Sequence, residues 1–367
     1  MIYNDIRRKT KEISVGSVKI GGKNKIAIQS MTNTDTKDVE ATLEQIKKLS
    51  AAGCDIVRIT VPDEEAAKTI SIIKETGIRT PIVADIHFDY RAALKSAEYG
   101  VDKIRINPGN IGSEERILAV IDACKARQIP IRIGVNSGSV EKHILEKHGS
   151  PTPEALCESA MYHVGILEKY DFNDIAISIK SSDVSTMIAA NRLVAQRCDY
   201  PIHIGVTEAG DEKIGTLKSA IGIGSLLCDG IGDTLRVSLT ADPVSEISAA
   251  KNLLNALNIQ GQSGMNIVSC PTCGRTKIDL IALSAEFRRA IENAGLDDLP
   301  ITVALMGCIV NGPGEAHEAD IGIAGGKGEA LLFSHGQTIG KIKEKDIIPT
   351  LINEIQKIKK ERIINNG

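Results

Sequence analysis

The chain has 367 residues, 42% of them hydrophobic and 25% charged, with a formal net charge of −3. That length exceeds what one hydrophobic core usually supports, so two domains are expected, one of them large enough for a barrel of about 250 residues. The slight acidity excludes a general nucleic-acid binder, and the absence of Trp with only 3% aromatic residues leaves little for bases to stack on.

The opening stretch, MIYNDIRRKTKEI, carries no signal-peptide pattern, and no apolar run reaches the roughly 18 residues of a membrane span. A cytoplasmic protein is expected. There the eight cysteines stay reduced, so a cluster of them reads as metal binding or catalysis rather than as disulfides.

Eight β-like runs then follow, each trailed by a helical pattern: KIAIQSMTN from Lys25, DIVRITVPD from Asp55, PIVADIHFD from Pro81, DKIRINPGN from Asp102, PIRIGVNSGS from Pro130, DIAISIKSSD from Asp174, PIHIGVTEAG from Pro201 and DTLRVSLTADP from Asp233. Eight β/α repeats in about 250 residues are the arithmetic of a TIM (β/α)8 barrel. An open doubly wound sheet is the alternative, but the glycine-rich first turn that often marks it is absent from the sequence. Between strands, DVEATLEQIKKLSAAG and SEERILAVIDACKARQ read as helices, the second with Ser113 as its expected N-cap.

Parallel barrel strands should be apolar on both faces. Several of these alternate instead: Arg58 with Thr60; Lys103, Arg105 and Asn107; Arg132 and Asn136; Ser178, Lys180 and Ser182; His203 and Thr207; Arg236, Ser238 and Thr240. A period of two puts each set on one face, expected to point into the barrel near its C-terminal mouth. For a single cation, pairing with a barrel carboxylate such as Asp85 or Glu208 is the competing reading. Arg58, Arg105, Arg132, Lys180 and Arg236 converging from five strands predict an anion site, because that much buried charge needs a ligand to balance it. His87 ends the third run, so a place at the mouth is expected. His143, His148 and His163 fall in expected loop or helix and carry no special signal, and His335 reads as structural.

Gly261, Ser263 and Gly264 mark a linker, which divides the chain into a substrate-binding barrel over 1–262 and a smaller α+β domain over 263–367. In the latter, KIDLIALSAEFRRAIENAG is a helix closed by Gly295, PITVALMG a strand, and ADIGIAGGKGEALLFSHGQTIGKI a set of strands around a turn at Gly325 to Gly328. EKDIIPTLINEIQKIKKERI forms the last helix, with Pro349 near its start. The glycine-rich turn lacks the spacing of a phosphate loop.

The same domain holds CPTCGRTK and MGCIVNGPGE. Cys270 and Cys273 form a C-x-x-C turn, Cys308 follows the predicted strand, and the Gly312-Pro313-Gly314 bend can return Glu315 toward it. These four make a ligand set of three thiolates and one oxygen. A carboxylate is a harder and more labile ligand for iron, so a [4Fe–4S] cluster held this way would keep one iron able to exchange its ligand. A zinc ribbon with His317 as fourth ligand is the other reading of the spacing. Cys54, Cys124, Cys157, Cys198 and Cys228 read as small core residues.

The motifs MGCIVNGPGE, CPTCGRT, IRINPGN, IRIGVNSGS, GVTEAG and IGDTLRVSL together resemble the bacterial 4-hydroxy-3-methylbut-2-enyl diphosphate synthase family of the methylerythritol phosphate route, over essentially the whole chain. The resemblance implies a TIM barrel followed by a small iron–sulfur domain similar to a sulfite-reductase module. It implies one [4Fe–4S] cluster per chain on Cys270, Cys273, Cys308 and Glu315, and a cyclic diphosphate substrate opened reductively with loss of water. Flavodoxin or ferredoxin is the implied electron donor. A homodimer is implied, the cluster domain of one chain closing the barrel of the other. On that basis Arg58, Arg105, Arg132, Lys180 and Arg236, with Asn107 and Asn136, are expected to hold the substrate. Glu208 is expected to deliver a proton to the leaving hydroxyl, with Asp85 and His87 orienting the substrate. Nucleic acid and membrane are not expected partners.

Overall fold

The structure, a computed structural model, describes residues 5–259, 264–309, 314 and 317–365. Two compact units emerge, Met1–Ile259 and Gln260–Gly367.

The first unit opens with a hairpin of β1 (Ile13–Val15) and β2 (Val18–Ile20), which the sequence patterning did not announce. Eight parallel strands follow: β3 (Ala27–Met31), β4 (Ile56–Thr60), β5 (Ile82–Asp85), β6 (Lys103–Ile106), β7 (Ile131–Asn136), β8 (Ile175–Lys180), β9 (His203–Ile204) and β10 (Thr234–Leu235). Their order is β8-β7-β6-β5-β4-β3-β10-β9, and a bridge between Ile177 and Ile202 brings β8 back beside β9. This is a TIM barrel, with β9 and β10 reduced to two residues each.

Helices alternate with the strands, and many start on an aspartate. Asp38, Asp63, Asp89, Asp183, Asp211 and Asp242 each accept a hydrogen bond from a first-turn backbone N–H. Such a cap contributes about 1 kcal/mol and fixes where the loop ends. Ser113 occupies the N-cap position of its helix (Glu114–Arg127), but its side chain makes no capping bond there.

The outward faces of the strands pack against the helices in one continuous core that includes Ile59, Ile104, Ile133 and Ile177. Inside the barrel the filling changes with height. Ala27, Ile56, Val83 and Ala176 cluster with Ile13, Val15 and Ile20, so the hairpin plugs the N-terminal end with apolar side chains. Moving along each strand in steps of two, the interior turns polar: Gln29 follows Ala27, Arg58 follows Ile56, Asp85 follows Val83, and Ser178 follows Ala176. The barrel is thus apolar at its base and charged above.

The second unit is a five-stranded sheet in the order β11 (Asn266–Ser269), β12 (Thr302–Met306), β13 (Ile321–Gly325), β14 (Glu329–Ser334) and β15 (Gln337–Lys343). The first three are parallel and the last two antiparallel. Two helices, Leu280–Asn293 and Ile347–Asn365, share a core with it through Phe287, Ile291, Leu351 and Ile355 against Val303, Leu305, Ile321 and Ile323. The stretch between the expected linker and Cys270 supplies β11. Its NIVS run was overlooked because it is short and mostly exposed. Of the expected linker, Gly264 is described, in the left-handed region with φ of 125°, whereas Gly261 and Ser263 lie outside the described residues.

A cationic cavity in the barrel and a thiol end on the second sheet

Arg58, Asp85, His87, Arg105, Arg132, Asn136, Ser178, Lys180, Thr207, Arg236 and Ser238 line one cavity of about 160 Å³. Apart from His87, just past β5, and the residues following β9 and β10, these side chains come from β4 to β8 in the period-two phase that faces inward.

Asp85 is the anchor of the cluster. Arg105 Nη1 donates to its Oδ1 at 3.1 Å, and Arg58 Nε stands 3.5 Å from Oδ2, with His87 Nε2 at 4.0 Å from the same oxygen. Burial acts to raise the Asp85 carboxyl, but Arg58 and Arg105 outweigh it and bring the group down to about 2. Arg58 also points Nε and Nη2 at the Met31 thioether sulfur, at 3.1 and 2.9 Å, a neutral acceptor that leaves its charge uncancelled. Burial lowers Arg58 to about 10 against the opposing pull of Asp85.

Arg105 lies across Gly134. A Cβ on that glycine would stand 2.3 Å from Arg105 Nε, so only glycine admits the guanidinium in this place. Arg132 is 1% exposed, and Gln29 Oε1 at 3.4 Å is its nearest hydrogen-bonding acceptor among the described residues. Lys180 is buried as well. Burial first, and then Arg58, Arg236, Arg132 and Arg105, push its amine well below the usual lysine range.

Arg236 differs from the other cations. Its Nε and Nη2 reach Glu246 at 3.1 and 2.9 Å, and Ser30 Oγ donates to the same carboxylate at 2.7 Å. Arg236 therefore lines the cavity with its charge already matched. Glu246, buried in the helix Pro243–Ala256, was missed by sequence reasoning. Its placement in a first helical turn resembles ordinary dipole pairing and gives no separate signal.

Two expected residues stand apart from the cavity lining. Asn107 is buried as the N-cap of the short helix Pro108–Ile111; its amide donates to Ser139 Oγ at 3.1 Å and accepts from Gly109 N. That places it in loop building. Glu208 is exposed in the bend after β9, next to the cavity residue Thr207, with φ of 51°. A non-glycine residue outside turns favouring Asn or Asp adopts this region at a steric penalty, and such strain concentrates at functional positions. Elsewhere in the barrel, His163 is buried in the helix Pro153–Lys169, its Nε2 against Glu141, whose other oxygen accepts from Ser159 Oγ at 2.6 Å. Of the cysteines read as core, Cys54, Cys124 and Cys157 are buried, Cys198 is half-buried and Cys228 is exposed.

In the second unit, β11 and β12 run parallel with Ser269 beside Leu305. Cys270 leaves the end of β11 and Cys308 follows the end of β12, so both emerge at one edge of the sheet, with Cys273 in the turn beyond. Gly307 N–H donates to Cys270 Sγ at 3.2 Å. The backbone N–H and side chain of Arg275 lower the Cys273 thiol from its ordinary value, against a smaller opposing effect of burial. At Cys273 these contacts favour thiolate, the form that binds iron. Glu315, with Gly312 and Pro313 of the bend before it, lies outside the described residues. Among the described residues no three His, Cys, Asp or Glu side chains gather closely enough to hold a metal ion. The fit to a cluster rests on the shared edge of Cys270 and Cys308 and on the Arg275 contacts that lower the Cys273 thiol. His317, the alternative ligand, packs its ring against Gly336.

No helix among the described residues is long and apolar enough to cross a membrane. Residues 10–251 match the family described as GcpE TIM-barrel domain, and residues 266–357 the GcpE protein C-terminal domain. A Clostridium perfringens protein named 4-hydroxy-3-methylbut-2-en-1-yl diphosphate synthase (flavodoxin) is 57% identical over 352 residues, covering 96% of this chain and 99% of its own. A protein of the same name from Caldanaerobacter subterraneus subsp. tengcongensis is 56% identical over 356 residues, covering 97% and 99%. Among solved structures, Plasmodium falciparum HPPK-DHPS with pterin and p-hydroxybenzoate aligns with a TM-score of 0.50 at 11% identity, over 77% of this chain and 52% of that one, which is a likeness of fold alone. With both domains matched in order and relatives this similar along nearly the full length, the chain belongs to the GcpE family of 4-hydroxy-3-methylbut-2-en-1-yl diphosphate synthases.

Proposed function

We propose that the protein catalyses the two-electron reductive ring opening and dehydration of 2-C-methyl-D-erythritol 2,4-cyclodiphosphate to (E)-4-hydroxy-3-methylbut-2-enyl diphosphate. The observation that carries this reading is the charge balance of the cavity. Four arginines, Arg58, Arg105, Arg132 and Arg236, face two carboxylates, Asp85 and Glu246, an excess of two formal positive charges in a small buried space, with Lys180 beside them as a further donor. An anion with two phosphates answers that excess.

In this reading Arg58, Arg105, Arg132 and Lys180 bind the diphosphate. Asp85 fixes the direction of two of those guanidiniums, and Glu246 does the same for Arg236. Asn136, Ser178, Thr207 and Ser238 supply neutral donors that orient the ring without adding charge. Asn107 supports the loop that carries Asn136 by bonding Ser139. His87, half-exposed at the cavity rim, orients the substrate from the open side. Glu208, exposed in the bend beside the cavity residue Thr207, holds the proton that departs with the leaving hydroxyl in this reading.

Cys270, Cys273 and Cys308, with Glu315 as the fourth ligand, would hold one [4Fe–4S] cluster per chain. When bound, the cluster supplies the electrons one at a time together with Lewis acidity toward the departing oxygen. The names of the relatives point to flavodoxin as donor, with ferredoxin the alternative. A cytoplasmic homodimer completes the reading, and both features rest on the family resemblance.

The test is anaerobic turnover. The protein, reconstituted with iron and sulfide, is given a low-potential reductant and the cyclodiphosphate, and products are followed by phosphorus NMR. Conversion to a linear allylic diphosphate is expected. A fully loaded protein that binds the substrate and leaves it cyclic would overturn the assignment.

A further inference from the structure

The mechanism above leaves one interior cation unused. Lys103 stands on β6 two residues before Arg105 and in the same inward phase, in register with Val83 of the apolar base. It is 0% exposed, and its Nζ has no hydrogen-bond partner among the described residues. The polar atoms Gln29 Nε2, Arg132 Nε and His203 Nε2 in the same barrel are likewise buried without partners. Lys103 therefore lies beneath the cavity in a polar zone that the protein's own side chains do not satisfy.

The charged groups that bear on it come from several strands. Arg132 on β7 and Arg58 on β4 both act against its protonation, after burial itself. Lys103 in turn acts on His203 of β9, whose Nδ1 is engaged by Thr234 Oγ1 at 2.8 Å. Arg105 follows it toward the mouth on its own strand, with its charge directed to Asp85. From β5, Val83 beside it is apolar and Asp85 is already shared by two arginines. No carboxylate among the described residues is paired with Lys103. An amine so placed is neutral, since burial and like charge both disfavour the ammonium.

We infer that Lys103 takes up a proton when the cyclic diphosphate enters the cavity above it, so that substrate binding is linked to proton uptake inside the barrel. The inference rests on the substrate reading given above. Negative charge arriving among Arg58, Arg132 and Lys180 removes the repulsion that keeps the amine neutral. The ligand is not itself the source of the linkage: each of its phosphates carries one strongly acidic proton, lost well below neutral pH, and the dianion enters unchanged. Lys103 is a positioning residue in this scheme. It does not touch the substrate but adjusts the charge of the site to match it. By linkage, affinity rises as pH falls through the range where the bound form holds the extra proton and the free form does not.

The experiment is anaerobic titration calorimetry of the full chain with its cluster loaded, no reductant present, and the cyclodiphosphate as probe. Repeating it at neutral pH in buffers of different ionisation enthalpy yields the protons taken up per site. The wild-type protein is expected to take up protons on binding. Lys103→Met, which cannot hold one, is expected to bind with uptake lowered by up to about one proton. Lys103→Arg, which always holds one, is expected to show the same reduction. A thermal melt establishes that each variant is folded, and either folded variant decides the point. No uptake in the wild type, or undiminished uptake in a folded variant, overturns the role of Lys103. Absence of binding heat in every buffer instead counts against the substrate reading itself.

Discussion

Arg236 and Glu246 form a two-bond clasp at 2.9 and 3.1 Å, with Glu246 also holding Ser30 Oγ and the backbone N–H of Leu239. The clasp joins the segment after β10 to the helix that follows it and to β3. Replacing Glu246 by Gln leaves a guanidinium with half its partner among other cations. Breaking a buried pair by removing one member typically destabilises by about 3 kcal/mol or more. Glu246→Gln should therefore lower the urea midpoint clearly with little change in the slope. An unchanged midpoint would show that the charge excess of the cavity tolerates one more cation without penalty.

Asp85 gives a pH dependence with a definite sign. Its folded carboxyl lies near 2, below the usual unfolded aspartate value of about 3.9. Because the folded value is depressed, the stability from this group is fully present above pH 4 and is lost as pH falls toward 2. The amount is about 2 kcal/mol, to order of magnitude. Acid unfolding followed by circular dichroism in wild type and Asp85→Asn should show a smaller loss across that window in the variant. Parallel curves would mean that Asp85 is not held down by Arg58 and Arg105.

Arg132 has no carboxylate partner among the described residues, so its charge is left for a ligand. Loss of a charge-assisted contact to phosphate weakens binding by about 1.5–3 kcal/mol, or roughly 10- to 150-fold. Arg132→Met should raise KM by a factor in that range and alter kcat less, because the guanidinium grips the phosphate in both ground and transition states. Steady-state rates under anaerobic conditions separate the two. A fall in kcat alone would move Arg132 from binding into the chemical step.

Gly134 tests geometry rather than charge. The Cβ of an alanine there meets the flexible end of Arg105, which can swing aside. Stability should fall by about 1–3 kcal/mol as the guanidinium is forced aside and Arg105 loses its bond to Asp85. KM for the cyclodiphosphate should then rise, and Arg105→Lys on top of Gly134→Ala should add less than it does alone. Additive effects would separate the two positions.

These cases also show what the chain discloses by itself. The barrel was legible because its eight runs recur with helices between them, and the cationic cavity was legible because arginine and lysine recur in one period-two phase of strands that otherwise read Ile and Val. Period two says which face a residue takes, not how far up the barrel it stands or what it meets there. That is why Arg236 read like the other cations although Glu246 matches it, and why Lys103 and Arg105 looked alike although one is partnerless and the other paired. The same limit applies to Asn107, whose amide is consumed by Ser139. The hairpin of β1 and β2 escaped because three-residue strands carry too short a pattern, and β11 because its four residues are mostly exposed. The contact of Asn107 with Ser139 joins segments far apart in the chain, which spacing alone does not encode.

The thiols at the edge of the second sheet give the last prediction, which separates holding a cluster from using it. Cys270 and Cys308 leave the ends of adjacent parallel strands, so each sulfur is set by a separate rigid element, and neither can replace the other. Cys308→Ser removes a thiolate and substitutes a poor ligand for iron, so iron content, brown colour and turnover should fall together. Glu315→Gln replaces only the carboxylate expected in the fourth place with a neutral amide, a poorer ligand for iron. Three thiolates still hold the cluster, so much of the colour should remain while the rate drops, because the exchangeable position no longer carries its native ligand. Iron analysis, visible absorption and anaerobic turnover on the same samples distinguish the cases. A colourless Cys308→Ser that still turns over would remove the sulfur from the ligand set. An undiminished rate in Glu315→Gln would mean that the fourth position matters neither for retention nor for chemistry, leaving the three thiols to account for both.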